Sequence, residues 1–216
     1  MKVLTITAIT AGKVAAQQIP ALFDSQRIEW HDIDTLNWKN EFPYAPEVRF
    51  RIAYNSSALL LHYKVTEASV AAVAEADGGN VWEDSCCECF IQPADDGIYY
   101  NLECNCAGTL LLAAGTGRNG RTLAPESVLK SIDRWASLGR ERFAERKGLQ
   151  TWELALIVPF TAWFQHHIEH LDGMTLRGNF YKCGDKLSVP HFVTWNAIQS
   201  ASPDYHRPEC FGIIHC

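Results

Sequence analysis

The sequence lacks the features of several large protein classes. No apolar run approaches the roughly 20 residues that a membrane-spanning helix needs, so no membrane partner is expected. Asp and Glu (25) outnumber Lys and Arg (19), which disfavours a nucleic-acid partner because such binding needs a basic surface. No internal repeat, low-complexity tract or linker interrupts the chain, which favours a single domain over residues 1–216. The N-terminal stretch is too polar for a secretory signal, and we expect a cytoplasmic protein.

The eight cysteines do not have the spacing of a disulfide framework or of a zinc knuckle. Cys86 and Cys87 are adjacent, and Cys87, Cys89, Cys104 and Cys106 fall inside strand-like runs rather than in loops. Free cysteine behaves as a small buried hydrophobic residue, so these side chains are predicted to be reduced thiols in a core. The sequence gives no reason to expect a metal site.

Short strand-like runs separated by turn residues recur along the chain, which is typical of an all-β sandwich. Ser127–Trp135 is among the runs that we interpret as strands. Helical patterns are few, and we expect one or two short peripheral helices. The candidates are Val14–Phe23, broken near Pro20, then Thr161–His170 and the alanine-rich Ala68–Ala76.

The runs Asp84–Gln92 and Ile98–Cys106 predict an antiparallel hairpin, because Pro93–Gly97 between them has turn composition. Strand side chains alternate between faces, so Cys87, Cys89, Cys104 and Cys106, with Ile91 and Leu102, would point to a core, whereas Cys86 falls on the other face. Carboxylate, amide and aromatic side chains would share the opposite face, with Trp82 at its entrance.

That polar face has the chemistry of a sugar-binding surface. An aromatic ring such as Trp82 can stack on the apolar face of a sugar, and Glu88, Asn101 and Glu103 can hydrogen-bond its hydroxyls. Asn179, on a later strand with Arg177 and Tyr181, is a further candidate for the wall of the site.

Several motifs resemble the carbohydrate-binding modules of family 9. They are Trp82–Glu88, Tyr99–Asn105 followed by Gly108, Trp152–Pro159, Asn179–Asp185, Phe192–Trp195, Tyr205–Glu209 and Phe211–Ile214. The resemblance implies an immunoglobulin-like antiparallel β-sandwich related to DOMON-type domains. It also implies sugar binding between two tryptophans, with Trp82 and Glu88 at matching positions and Trp195 as the candidate second ring. Asn101 stands near the place where better-known members have an arginine. Calcium sites are known in the wider family, but no ligand set for one can be matched here.

The sequence therefore favours non-catalytic binding of a mono- or oligosaccharide, with no cofactor required and with the oligomeric state open. Two alternatives remain. Glu88 and Glu103 on neighbouring strands could be the paired carboxyl groups of a glycoside-processing enzyme. Alternatively, the scaffold could have lost sugar binding and serve as an interaction module.

Overall fold

The computed structural model describes residues 1–10, 12 and 14–216, and within them most of the regular structure is β-strand. Two short α-helices, α1 (Ile19–Ser25) and α2 (Glu126–Ser131), lie outside the sheets. None of the described helices is both long and apolar enough to cross a membrane. The strands are β1 Val3–Thr5, β2 Thr7–Ala8, β3 His31–Asp32, β4 Glu47–Tyr54, β5 Ala58–Ala72, β6 Cys86–Gln92, β7 Tyr99–Asn105, β8 Leu110–Gly115, β9 Thr122–Leu123, β10 Asp133–Ala136, β11 Phe143–Pro159, β12 Thr175–Cys183, β13 Phe192–Thr194 and β14 Gly212–His215.

These strands form two sheets, which confirms the predicted all-β sandwich. The first, called the front sheet, has the order β1-β14-β12-β6-β7-β8-β9, with β13 paired to β12. The second, called the back sheet, has the order β10-β11-β5-β4-β2, with β3 paired to β4. Pairing is antiparallel except where β1 runs parallel to β14 and β2 runs parallel to β4.

A cluster of buried apolar side chains fills the space between the sheets. Phe50 of the back sheet stacks on Phe180 of the front sheet, with ring centroids 4.0 Å apart. Because successive side chains alternate, each front strand sends every second residue into this cluster and the others to its outer face. The outer face of the front sheet is where the polar residues of the predicted hairpin lie.

The hairpin of β6 and β7 has the predicted faces. Glu88 pairs with Glu103 across the two strands, and Phe90 pairs with Asn101. Cys87, Cys89, Leu102 and Cys104 belong to the cluster between the sheets. Gly97 closes the turn at a φ of 82°, in the left-handed region that glycine tolerates best. All eight cysteines of the chain are free thiols in the structure.

Three of the local predictions are wrong. Ala68–Ala76 is not a helix, because β5 continues to Ala72 and pairs with β11, for example through Val70 and Arg146. Thr161–His170 contains only the end of a 3-10 turn, Phe160–Ala162, followed by irregular turns. Ser127–Trp135, predicted as a strand, is mostly α2 followed by β10. In the first case, pairing with β11 selected a strand over the helix that alanine-rich sequence favours.

The break predicted near Pro20 coincides with the junction between a 3-10 turn, Ala16–Gln18, and α1, which begins at Ile19. Pro20 lies in the first turn of α1, where the missing N–H of proline has no helical partner to lose. The helix therefore continues to Ser25 and buries Ile19 and Phe23 against the outer face of the back sheet.

An ion pair buried between the sheets joins β12 to β5. Lys182 Nζ lies 2.8 Å from Glu67 Oε2, and both side chains are completely buried. The ammonium group also donates to Cys183 O at 2.8 Å and to His191 Nε2 at 2.7 Å, while Trp152 Nε1 donates to Glu67 Oε1 at 2.7 Å. Burial alone would raise the pKa of Glu67, but the charges and hydrogen bonds of Lys182 and His191 lower this pKa to about 2. Glu67 is therefore held ionised between the sheets.

We predict that Lys182→Met destabilises the fold by about 3–5 kcal/mol, because it leaves the Glu67 carboxylate buried without its main partner. Lys182→Met combined with Glu67→Leu should recover part of this loss, since no charge then remains unpaired. The free energy of unfolding from urea titrations measures both effects. Lys130→Met, which removes an exposed lysine paired with Glu126, is the control and should change little. Equal effects of Lys182→Met and Lys130→Met would contradict this account.

Candidate functional site

A cleft of about 340 Å³ opens on the outer face of the front sheet. Its floor is the polar side of the β6–β7 hairpin, formed by Glu88, Phe90, Asn101 and Glu103. These four side chains are between 1 % and 4 % exposed, so the floor lies deep below the protein surface. The cleft is at the small end of the range for small-molecule sites, about 300–1,000 Å³. It suits a compact polar ligand.

Two carboxyl groups lie side by side on this floor. Glu103 Oε1 accepts a hydrogen bond from Asn101 Nδ2 at 2.8 Å, and Glu88 Oε1 accepts one from Cys183 Sγ at 3.1 Å. Burial, reinforced by the charge of Glu103, raises the pKa of Glu88 well above its usual range. Burial also raises the pKa of Glu103 to about 7, against the opposing effects of Asn101 and Arg121. Glu103 Oε2 is buried and has no hydrogen-bond partner among the residues that the structure describes.

Arg121 supplies the positive charge of the floor from the β8–β9 connection. Its Nε donates to Asn101 Oδ1 at 2.8 Å, and its terminal nitrogens donate to backbone carbonyls of Tyr99, Ala113 and Gly117. The guanidinium also lies 4.2 Å from the centre of the Tyr99 ring. These contacts fix the Asn101 amide so that its nitrogen points to Glu103.

Aromatic side chains form the walls. Trp82 stands on one side, in a short 3-10 turn, Val81–Glu83, just before β6. Phe192 and Tyr205 line the cleft as well, and Tyr205 is held by stacking on Tyr181 at a centroid distance of 4.1 Å. The Tyr205 hydroxyl donates to Lys182 O at 3.0 Å. The cleft therefore combines fixed rings with buried carboxyl and amide groups.

Four of the six predicted site residues meet in this cleft: Trp82, Glu88, Asn101 and Glu103. Trp195 does not reach it. The side chain is 4 % exposed and packs between the sheets against Phe50 and Phe180. The strand register explains this placement. Phe192 pairs with Cys183, which faces the cleft, so the alternation sends Trp195 inward. A Cβ at position 212 would overlap the Trp195 ring, and Gly212 makes room for it.

Asn179 lies on the outer side of β12 but does not line the cleft either. Its Oδ1 accepts hydrogen bonds from the backbone nitrogens of Asn196 and Phe180, and its Nδ2 donates to Asn196 O. The side chain is fully buried under the segment that it fixes. The structure thus gives Asn179 the position of a residue that holds the chain after β13 in place.

Sequence reasoning missed the residues that loops bring to the cleft. Alternation could have identified Phe192, because it is two residues from Thr194 and opposite in face to Trp195. Nothing local identifies Arg121, whose position depends on how the β8–β9 connection returns to the sheet. Asp185 lies in the motif Asn179–Asp185 but was not among the predicted site residues. The cleft residues absent from the sequence-based set include Arg118, Arg121, Asp185, Phe192, Asp204, Tyr205 and His206.

A calcium site is not supported by the side chains that the structure brings together. In the described part of the chain, the one group of three potential ligands with metal-site spacing is Cys86, Glu88 and Cys183. Ca²⁺ prefers oxygen ligands, whereas two members of this group are thiols.

Comparison with known proteins identifies the family. The family model described as Carbohydrate-binding family 9 matches residues 17–216. Since this match covers most of the chain, the protein belongs to carbohydrate-binding family 9, as the motifs suggested. No protein among those with curated descriptions matches the chain.

Solved structures show the same fold. A protein from Bacteroides uniformis ATCC 8492, described as carbohydrate-binding, is 47 % identical, with a TM-score of 0.96 over 99 % of this chain and 98 % of that one. A family 9 module from Caldicellulosiruptor kristjanssonii has been solved with cellotriose and with glucose. The cellotriose complex has a TM-score of 0.59 at 11 % identity, over 99 % of this chain and 93 % of that one. The glucose complex has a TM-score of 0.56 at 11 % identity, over 99 % and 95 %.

His206 on the rim gives the cleft a pH-dependent contribution to stability. Burial, with the charges of Arg121 and Arg118, lowers its pKa to about 4, and the ring hydrogen-bonds the Tyr99 hydroxyl at 2.9 Å. The unfolded chain therefore takes up the proton first as the pH falls. The stabilisation is complete above about pH 6.5 and is lost as the pH falls towards 4.

We predict that the stability advantage of the wild type over His206→Gln shrinks by about 1–3 kcal/mol between pH 7 and pH 4. The difference between the two proteins isolates His206 from the carboxyl groups of the cleft, whose raised pKa values act in the opposite direction. Urea unfolding at a series of pH values measures it. A difference that stays constant over this range would contradict a neutral, buried His206.

Proposed function

We propose that the cleft binds a short carbohydrate, a mono- or oligosaccharide, without chemical conversion. The observation that carries the proposal is the convergence of Trp82, Glu88, Asn101 and Glu103 on one cleft in a member of carbohydrate-binding family 9. Trp82 would stack on the apolar face of a sugar ring. This face, made of C–H groups, is the largest apolar area of a sugar, and contact with the indole removes it from water.

The buried polar groups would read the hydroxyls. Glu103 Oε2 has no hydrogen-bond partner, so a sugar hydroxyl would satisfy it. Arg121 and Asn101 are already joined to one another and would hold Glu103 in place rather than move to the ligand. Better-known members of the family have an arginine near the position of Asn101. In this protein Arg121, which donates to Asn101, would supply the positive charge at that place. Phe192 and Tyr205, rather than Trp195, would complete the aromatic enclosure.

The placement of the carboxyl groups favours binding over hydrolysis. Glu88 and Glu103 are direct cross-strand neighbours on one floor, so both approach a ligand from the same side. A glycosidase places its two carboxyl groups on either side of the bond that it cleaves, and a retaining one needs an ionised nucleophile. Burial, which raises the pKa of both groups, opposes that ionisation.

We predict that Trp82→Ala weakens sugar binding by about 10- to 100-fold, the equivalent of losing most of one stacked ring. Phe192→Ala should weaken it to a smaller degree. Calorimetric titration with glucose, cellotriose and a wider sugar panel measures the dissociation constants. Trp135→Ala, on the back sheet, is the control and should bind as the wild type does. Unaltered affinity in Trp82→Ala would remove the principal contact, and no binding of any sugar by the wild type would favour an interaction module.

Incubation with cellotriose and other oligosaccharides separates binding from hydrolysis. We predict no increase in reducing ends with the wild type, because the carboxyl pair lacks the arrangement for bond cleavage. An increase that disappears in Glu88→Gln and in Glu103→Gln would instead establish the glycoside-processing alternative. The same two variants, tested for affinity, report whether each carboxyl group contributes a hydrogen bond to the ligand.

A further inference from the structure

Two thiols converge with the Glu88 carboxyl group at the edge of the cleft, and sugar binding does not use these thiols. Cys86 of β6 and Cys183 of β12 are direct cross-strand partners. Both lie in the cluster on the outer side of the front sheet, together with Phe90 and Tyr181. Cys87, Cys89, Cys104 and Cys106 point the other way, into the core between the sheets. Cys86 and Cys183 therefore lie on the same side of the sheet as Glu88, with which they form a close group.

We propose that Cys86, Cys183 and Glu88 form a binding site for a thiophilic divalent cation, with Zn²⁺ as the expected occupant. One sulfur from each cysteine and one oxygen of Glu88 all lie within 4.8 Å of one another. Tetrahedral zinc with bonds to sulfur of about 2.3 Å would hold two sulfurs about 3.8 Å apart. Small side-chain rotations would close the cluster around an ion.

The existing hydrogen bond marks where the ion would sit. Cys183 Sγ donates to Glu88 Oε1 at 3.1 Å, so a proton already bridges a sulfur and an oxygen there. A cation would replace it as the bridge, and both thiols and the Glu88 carboxyl group, whose pKa burial raises, would release any proton they carry to solvent on ligation. Burial raises the pKa of both thiols, which keeps them protonated until a metal binds. Cys183 and Glu88 line the cleft, so an ion has a path from solvent.

A second observation points to a ligand at this place. Glu103, opposite Glu88 on β7, is 4 % exposed and its Oε2 has no hydrogen-bond partner. Zinc sites with three protein ligands keep the fourth position for water or substrate. A metal-bound water is a hydrogen-bond donor of the kind that Glu103 Oε2 lacks. The acidic side chain of Asp185 on the same cleft adds negative potential that attracts a cation.

Cobalt titration of the metal-free chain, kept reduced with a phosphine, tests the site without any sugar. We expect one equivalent of Co²⁺ to bind, with a thiolate charge-transfer band and the visible bands of tetrahedral cobalt, and one equivalent of Zn²⁺ to displace it. Cys86→Ser, Cys183→Ser and Glu88→Gln should each weaken binding by more than the roughly 10- to 100-fold that loss of an outer-shell partner costs.

Two cysteine variants are the controls. Cys210→Ser removes a partly exposed thiol, and Cys89→Ala removes a core thiol of the same strand as Cys86. Both should bind cobalt as the wild type does. Absence of stoichiometric binding by the wild type would overturn the proposal. So would unchanged cobalt affinity and unchanged thiolate bands in both Cys86→Ser and Cys183→Ser, with near-ultraviolet circular dichroism confirming that the variants are folded. Sugar affinity of the metal-free wild type is measured separately, because the site does not rest on sugar binding.

Discussion

The buried contact between Lys182 and Glu67 is the constraint on which the site depends. It joins the two sheets directly behind the cleft, where neither charge has access to water. A shift of β12 by one residue would separate the Lys182 ammonium group from the Glu67 carboxylate and leave both charges buried without a partner. The ion pair therefore favours a single register of β12. Cys183 is the next residue along that strand, and Tyr181 is the one before; both face the cleft side. The ion pair on the inner face of β12 thus helps to position the residues that β12 presents on its outer face, towards the cleft.

Alternation explains how one short hairpin serves both the core and the site. Along β6 and β7, the residues packed between the sheets are thiol and aliphatic groups together with Tyr100, and the residues between them carry carboxyl, amide or aromatic groups, apart from Cys86. Small core residues allow the sheets to approach closely. The outer face is buried as well, but its residues are polar. Glu88 and Glu103 are removed from water there, so a ligand can take up the hydrogen bonds that water would otherwise make with them. The proposals of sugar and metal binding both rely on this desolvated, incompletely satisfied floor.

The hairpin could be predicted because its information is local: two alternating runs and a turn determine which residues share a face. The same applies to the sandwich as a whole. Trp195 shows where local reasoning fails. The sequence around a tryptophan does not say whether the ring faces the core or the cleft, and for Trp195 this depends on the register of β13 with β12. The position of Arg121 depends on how the β8–β9 connection returns to the sheet, and no pattern in the sequence around Arg121 indicates it. Ala68–Ala76 is ambiguous for a further reason. Alanine-rich sequence suits a helix, and only pairing with β11 makes it a strand.

The cleft takes its floor from paired strands and its rim from the connections between them. Arg118 belongs to the β8–β9 connection, and Asp204, 3.0 Å from it, belongs to the segment before β14. Connections accept changes in length and sequence that ladders do not, because fewer main-chain hydrogen bonds depend on them. The floor and the rim of the cleft are therefore encoded in separate stretches of chain. Exchanging the connections would reshape the rim while the hairpin and the ion pair behind it are left as they are.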